Sequence, residues 1–83
     1  MVYRSVPMMT TATDYQRELG GVIRARRLLL GRSQEELASD CGMHRTYLGS
    51  VERGERNLTL GSVVAIAGAL GVTPSVLFHE AGF

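Results

Sequence analysis

His44, Arg45 and Thr46 stand in one run, with Ser50 one helical turn beyond Thr46. Together they gather side chains able to hydrogen-bond to the edges of bases. Arginine offers two parallel N–H groups that match guanine O6 and N7; threonine and serine offer a hydroxyl, and the threonine methyl suits the methyl group of thymine. The major groove of a duplex admits one helix, and side chains at its N-terminal end reach the base edges. His44 stands at that end either as a base reader or as a neighbour of the helix cap. Arg53, Arg56 and Asn57 fall where a loop leaves the same helix. Guanidinium and amide groups there suit phosphate oxygens, contacts that position a protein without reading sequence; the plainer alternative is solvated surface charge.

These residues need a frame. Residues 1–13 lack helical periodicity and read as a flexible arm ahead of a single domain over residues 14–83. A first helix is expected from Asp14, as N-cap, to Leu30, with Leu19, Val22, Ile23 and Leu30 on one face and Gly31 ending it. Ser33 and Glu36 form a capping box that opens a short second helix, with Leu37 and Ala38 inward, and Gly42 takes the left-handed turn of a sharp reversal. The third helix runs from His44 to Arg53, with Leu48 and Val51 inward and Gly54 as its cap. Thr59 caps a fourth, whose Leu60, Val63, Val64, Ala67 and Leu70 follow helical spacing, and Thr73-Pro74 opens a fifth. The fold class expected is all-α: a compact five-helix bundle containing a helix-turn-helix.

Composition bounds the functions open to such a chain. Eighty-three residues, 45% hydrophobic and 20% charged, make one small folded domain without room for a large cleft. All nine basic residues are arginine, yet the net charge is only +1, so composition alone does not point to nucleic acid. The single cysteine, Cys41, excludes an internal disulfide and a cysteine-cluster metal site and reads as small core filler. The N-terminal stretch has no continuous apolar run of the signal-peptide kind. No Asp, Glu, Lys or Arg occurs from Asn57 to His79, but Gly71 and Thr73-Pro74 interrupt that segment, short of the roughly 18 apolar residues a span requires. No membrane association is expected, and a cytoplasmic protein is. His44 and His79 fall at opposite ends of the bundle and no glycine-rich loop follows a strand, so no enzyme, cofactor, metal or small-molecule ligand is expected.

Ser33-Gln34-Glu35-Glu36-Leu37-Ala38, Gly42-Met43, Arg45-Thr46-Tyr47-Leu48 and Glu52-Arg53-Gly54 resemble the helix-turn-helix of the phage repressor and Cro type, a lambda-repressor-like DNA-binding domain, over about residues 19 to 78. Within that family the stretch His44 to Leu60 is most similar to controller proteins of restriction–modification systems. The resemblance implies a transcription regulator that binds double-stranded DNA, with Arg45, Thr46 and Ser50 facing bases. It implies a backbone contact for Gln34, which begins helix two beside Ser33, where free N–H groups and the helix dipole favour phosphate. Tyr47 reads as a packing residue with its hydroxyl at the phosphate edge, and the resemblance pairs Glu52 with Arg27 as a structural ion pair. Arg26 and Arg32 stand where relatives carry apolar residues, with Leu28 and Leu29 partly compensating. The alternative is a protein-interaction module of the same fold, such as an antitoxin, which has no need of groove-reading side chains at 45 and 46.

The fourth helix carries no charge on the side turned from its own core: Gly61, Ser62, Ala65, Gly68 and Ala69 occupy it, and Val72, Val76, Leu77 and Phe78 add apolar area beyond. A surface helix is polar on that side. A symmetric homodimer is therefore expected on Gly61, Ala65, Ala69, Val72, Val76, Leu77 and Phe78, suited to an inverted-repeat operator.

Overall fold

A computed structural model of the chain describes residues 12–83. The arm expected over residues 1–13 lies outside the described residues except for its last two positions, which already belong to the first helix. Among the described residues five helices follow one another without a strand: α1 (Ala12–Leu29), α2 (Gln34–Cys41), α3 (Arg45–Glu52), α4 (Leu60–Leu70) and α5 (Pro74–Glu80).

Local chemistry sets most helix starts. Ser33, His44, Thr59 and Thr73 each have extended backbone, and each side chain accepts an N–H from the first turn of the helix it precedes. Ser33 and Glu36 form the expected reciprocal box, with bonds of 2.8 and 3.0 Å. The Ser33 N–H holds the Glu36 carboxyl below its usual range. Asp14 is not the N-cap of α1; it lies within the first turn, where a negative charge still complements the helix dipole. Gly42 takes φ +67° and lets the Met43 N–H reach back to the Ala38 carbonyl at 2.8 Å, closing the reversal between α2 and α3.

The core draws on all five helices: Leu19 and Ile23 from α1, Leu37 and Ala38 from α2, Leu48 and Val51 from α3, Val63, Ile66, Ala67 and Leu70 from α4, and Leu77 from α5. Each large side chain removed from water here contributes roughly 1.5–3 kcal/mol. Gly20 lets α1 lie directly on the end of α3, since a Cβ at that position would fall 2.2 Å from the Val51 carbonyl oxygen.

Several inward positions differ from those expected. Leu30 is half exposed, and Leu28 and Leu29 do not replace the apolar residues missing at 26 and 32. Those two arginines form surface ion pairs instead. Arg26 makes a two-pronged bond to Glu80, tying α1 to the end of α5, and Arg32 bonds Asp40 across α2. The buried end of the inward row on α1 is Arg27. On α4, Leu60 and Val64 are 78% and 59% exposed, and Ile66 fills the core in their place. Cys41 packs at the core edge, where burial pushes its thiol pKa up. No single helix among the described residues is long and apolar enough to cross a membrane; α4 and α5 together reach the length but are bent by 93°.

Candidate nucleic-acid interface

The first turn of α3 is the exposed end of the helix-turn-helix. Arg45 and Thr46 are both exposed, and among the described residues neither side chain has a protein partner. His44 is the N-cap: its Nδ1 accepts the Thr46 N–H at 3.1 Å. The two readings of His44 are thus compatible. An imidazole accepting at Nδ1 carries its proton on Nε2 when neutral, so the second nitrogen of this exposed ring is a donor. Three consecutive residues therefore offer donors at one helix end.

The position of α3 is set by a buried polar cluster at its other end. Arg27 donates from Nε to Glu52 Oε2 at 2.7 Å and from Nη2 to Glu52 Oε1 at 3.0 Å. The two side chains are 8% and 1% exposed. The Glu52 carboxylate raises the Arg27 pKa, chiefly through this hydrogen bonding. A third Arg27 nitrogen reaches the Arg32 carbonyl at 2.8 Å, which ties the α1–α2 turn to the same cluster. Gln34 Nε2 donates to Glu52 Oε1 at 3.0 Å. One carboxylate thus joins α1, α2 and α3, as the Arg27–Glu52 pairing anticipated, with Gln34 as an added member.

That cluster alters the expectation for Gln34. Its amide is turned onto α3, where one of its two N–H groups is given to Glu52. Ser33 beside it caps the helix: its hydroxyl accepts the Glu36 N–H and also bonds the Glu36 carboxyl.

Ser50 corrects the base-reading set. It is only 6% exposed, and its hydroxyl is engaged twice: it donates to the Tyr47 carbonyl at 2.6 Å and accepts from Arg56 Nε at 3.2 Å. It lies beneath the loop that follows α3 and cannot reach a base. Tyr47 packs against the core edge as expected, and the Arg56 guanidinium carbon lies 5.7 Å from its ring centroid, within cation–π range. Asn57 is exposed beside Arg56.

Arg53 is exposed but not idle: it makes two bonds, of 3.1 and 3.0 Å, to the Glu55 carboxylate. That bonding raises the Arg53 pKa and holds the Glu55 carboxyl below its usual range. A phosphate at this loop must compete with Glu55 for Arg53. Glu55→Gln is therefore expected to tighten binding by about 1.5- to 5-fold, the worth of an exposed ion pair. The gain is the same on every duplex, because phosphates carry no sequence information. Anisotropy titration on two unrelated duplexes checks it; unchanged affinity removes Arg53 from the interface. Arg17 on α1 escaped the sequence reading. The loop lies against its backbone, a Cβ on Gly54 falling 2.7 Å from the Arg17 Cα, and its exposed guanidinium lies 3.8 Å from the Asp14 carboxylate.

The expected dimer surface is also redrawn. Leu77 is fully buried in the protomer's own core and is removed from it. Phe78 stacks on Tyr15 with centroids 6.1 Å apart and is half-buried, as are Ala65, Ala69, Val72 and Val76. The open stripe of α4 is Leu60, Gly61, Val64 and Gly68, with Ala65 at its edge.

Comparison with known proteins matches the geometry. Residues 23–77 match the family model described as Helix-turn-helix. The chain is 42% identical over 69 residues to Control protein C.SmaI of Serratia marcescens, covering 83% of this chain and 82% of that one. It is 51% identical over 45 residues to Control protein C.BamHI of Bacillus amyloliquefaciens, covering 54% and 56% of the two. Among solved structures, the restriction-modification controller protein C.AhdI from Aeromonas hydrophila superimposes with a TM-score of 0.73 at 40% identity, covering 75% of this chain and 94% of that one.

Proposed function

The chain belongs to the helix-turn-helix family, and from that premise we propose that it is a sequence-specific regulator of transcription of the controller-protein type, acting as a dimer on an inverted repeat. The observation that carries this reading is the presentation of Arg45 and Thr46. Both are exposed and without protein partners among the described residues, on a helix whose far end is locked by Arg27, Glu52 and Gln34. A module built only to bind protein has no use for such an end. The similarity to control proteins of restriction–modification systems supports the same conclusion. On DNA, Arg45, Thr46 and the Nε2 of His44 face base edges. Ser33, the α2 backbone, Tyr47, Arg53, Arg56 and Asn57 face phosphates.

One recognition helix covers only a few base pairs, and two related by a twofold axis cover both halves of a palindrome about 34 Å apart. The α4 stripe of Leu60, Gly61, Val64, Ala65 and Gly68 supplies the surface: it is apolar and uncharged on the side away from the core, which a monomer's surface helix is not. Ala69, Val72, Val76 and Phe78 flank it.

The experiment is footprinting on the DNA upstream of the chain's own gene, with sedimentation at micromolar concentration. A protected inverted repeat and a dimer are expected. Val64→Glu places a charge on the open stripe without touching the core. It is expected to give a folded monomer that binds the full repeat no more tightly than one half. A dimer that survives Val64→Glu refutes this face. A wild-type monomer that binds a half-site as tightly as the repeat refutes the dimer.

A further inference from the structure

Ser50 holds the loop after α3 at two points. Its carbonyl accepts the Glu55 N–H at 2.9 Å, and its hydroxyl accepts from Arg56 Nε at 3.2 Å. A serine hydroxyl has one proton and two lone pairs. Here the proton is given to the Tyr47 carbonyl at 2.6 Å, which fixes the rotor and leaves oxygen lone pairs toward Arg56. The Tyr47 ring lies under the guanidinium as a second support, 5.7 Å from it. An otherwise exposed arginine is thereby held at its inner nitrogen and on one face.

We propose that Ser50 is a positioning residue that presets Arg56 for DNA. With Nε occupied, the fork formed by Nε and one terminal nitrogen is not available. Arg56 presents its two terminal nitrogens end-on to a phosphate of the bound strand. The benefit is entropic: a long side chain already fixed in the free protein loses less freedom on binding. The inference rests on the reading that this loop faces the DNA backbone. It accounts for a buried hydroxyl that reads no base, and it adds Ser50 to the binding apparatus as a residue that touches no DNA.

The test is a double-mutant cycle on a mixed-sequence duplex of about three helical turns, with affinity measured against salt. Arg56→Ala is expected to weaken binding and to reduce the slope of log affinity against log salt by about 0.9 for each protomer on the duplex, about 1.8 for a dimer, one phosphate contact per protomer. Ser50→Ala is expected to weaken binding roughly three- to tenfold, the cost of fixing one free side chain, with an unchanged slope because the charge is retained. In the Arg56→Ala background Ser50→Ala should add nothing, and Ser50→Thr, which keeps the hydroxyl, should restore tight binding. Urea unfolding is run on each variant. If Ser50→Ala does not fold, Ser50→Cys keeps the volume with a weaker acceptor and takes its place. An equal loss from Ser50→Ala in both backgrounds shows that it acts through α3 itself and overturns the proposal. So does wild-type binding by Ser50→Ala beside a weakened Arg56→Ala. An Arg56→Ala variant with unchanged affinity and slope overturns the placement of the loop on the DNA, leaving the role of Arg45 untouched.

Discussion

Glu52→Ala is expected to cost about 3–5 kcal/mol of folding stability, the largest effect on the fold of any single substitution considered for this chain. The Glu52 side chain is 1% exposed and receives two bonds from Arg27 and one from Gln34. Removing it leaves a buried guanidinium with only the Arg32 carbonyl as a partner. Desolvation of that charge, rather than loss of the attraction, sets the magnitude. For a domain of this size 1 kcal/mol moves the melting temperature by about 4–8 °C, so the shift should exceed about 12 °C. Urea denaturation with the slope held equal measures it. The paired replacement Arg27→Met with Glu52→Leu removes both charges and is expected to recover most of the loss. An unchanged urea midpoint in Glu52→Ala contradicts the view that this cluster holds α3 in place.

Arg45→Ala is expected to cost about 1–3 kcal/mol for each half-site, and so about 2–6 kcal/mol for a dimer on a symmetric operator. Arg45 is exposed in the first turn of α3 with no protein partner among the described residues, so its loss leaves the fold intact. The penalty should appear on the preferred duplex and shrink to the effect of one lost charge on unrelated DNA. That split distinguishes a base contact from a phosphate contact, which weakens all sequences alike. Anisotropy titration on the footprinted duplex and on a scrambled one gives both numbers.

What the sequence disclosed, and what it hid, follows from the range of the forces involved. Helix starts were legible because caps are local: Ser33 with Glu36, Thr59, and Thr73 with Pro74 each act within one turn. The turn at Gly42 was legible for the same reason. The pairing of Arg27 with Glu52 was legible only through family resemblance, because the two are 25 positions apart. Leu30 was misplaced because periodicity extends a face without regard to where the chain turns; the buried position at that end of α1 belongs to Arg27. On α4 apolar residues occupy every side, so spacing cannot say which face is inward, and Leu60 and Val64 were assigned to the core instead of Ile66. Leu77 lies in an apolar run from 76 to 78, and only the packing of α5 on the bundle selects it for the core. Ser50 follows Thr46 by one turn, which placed it with the base readers. The loop through Glu55 and Arg56 folds back over it, and no spacing rule reports that.

On the proposed function, the N-terminal end of α3 reads DNA sequence. The most direct measurement is selection of preferred duplexes from a random pool by the wild-type protein and by Arg45→Ala, sequenced side by side. Wild type is expected to enrich an inverted repeat with half-site centres about one helical turn apart, about 34 Å. Arg45→Ala is expected to enrich the same repeat with preference lost at one base pair in each half, the pair wild type holds as guanine–cytosine. Identical enrichment by the two proteins, or a wild type that enriches no sequence at all, contradicts this reading.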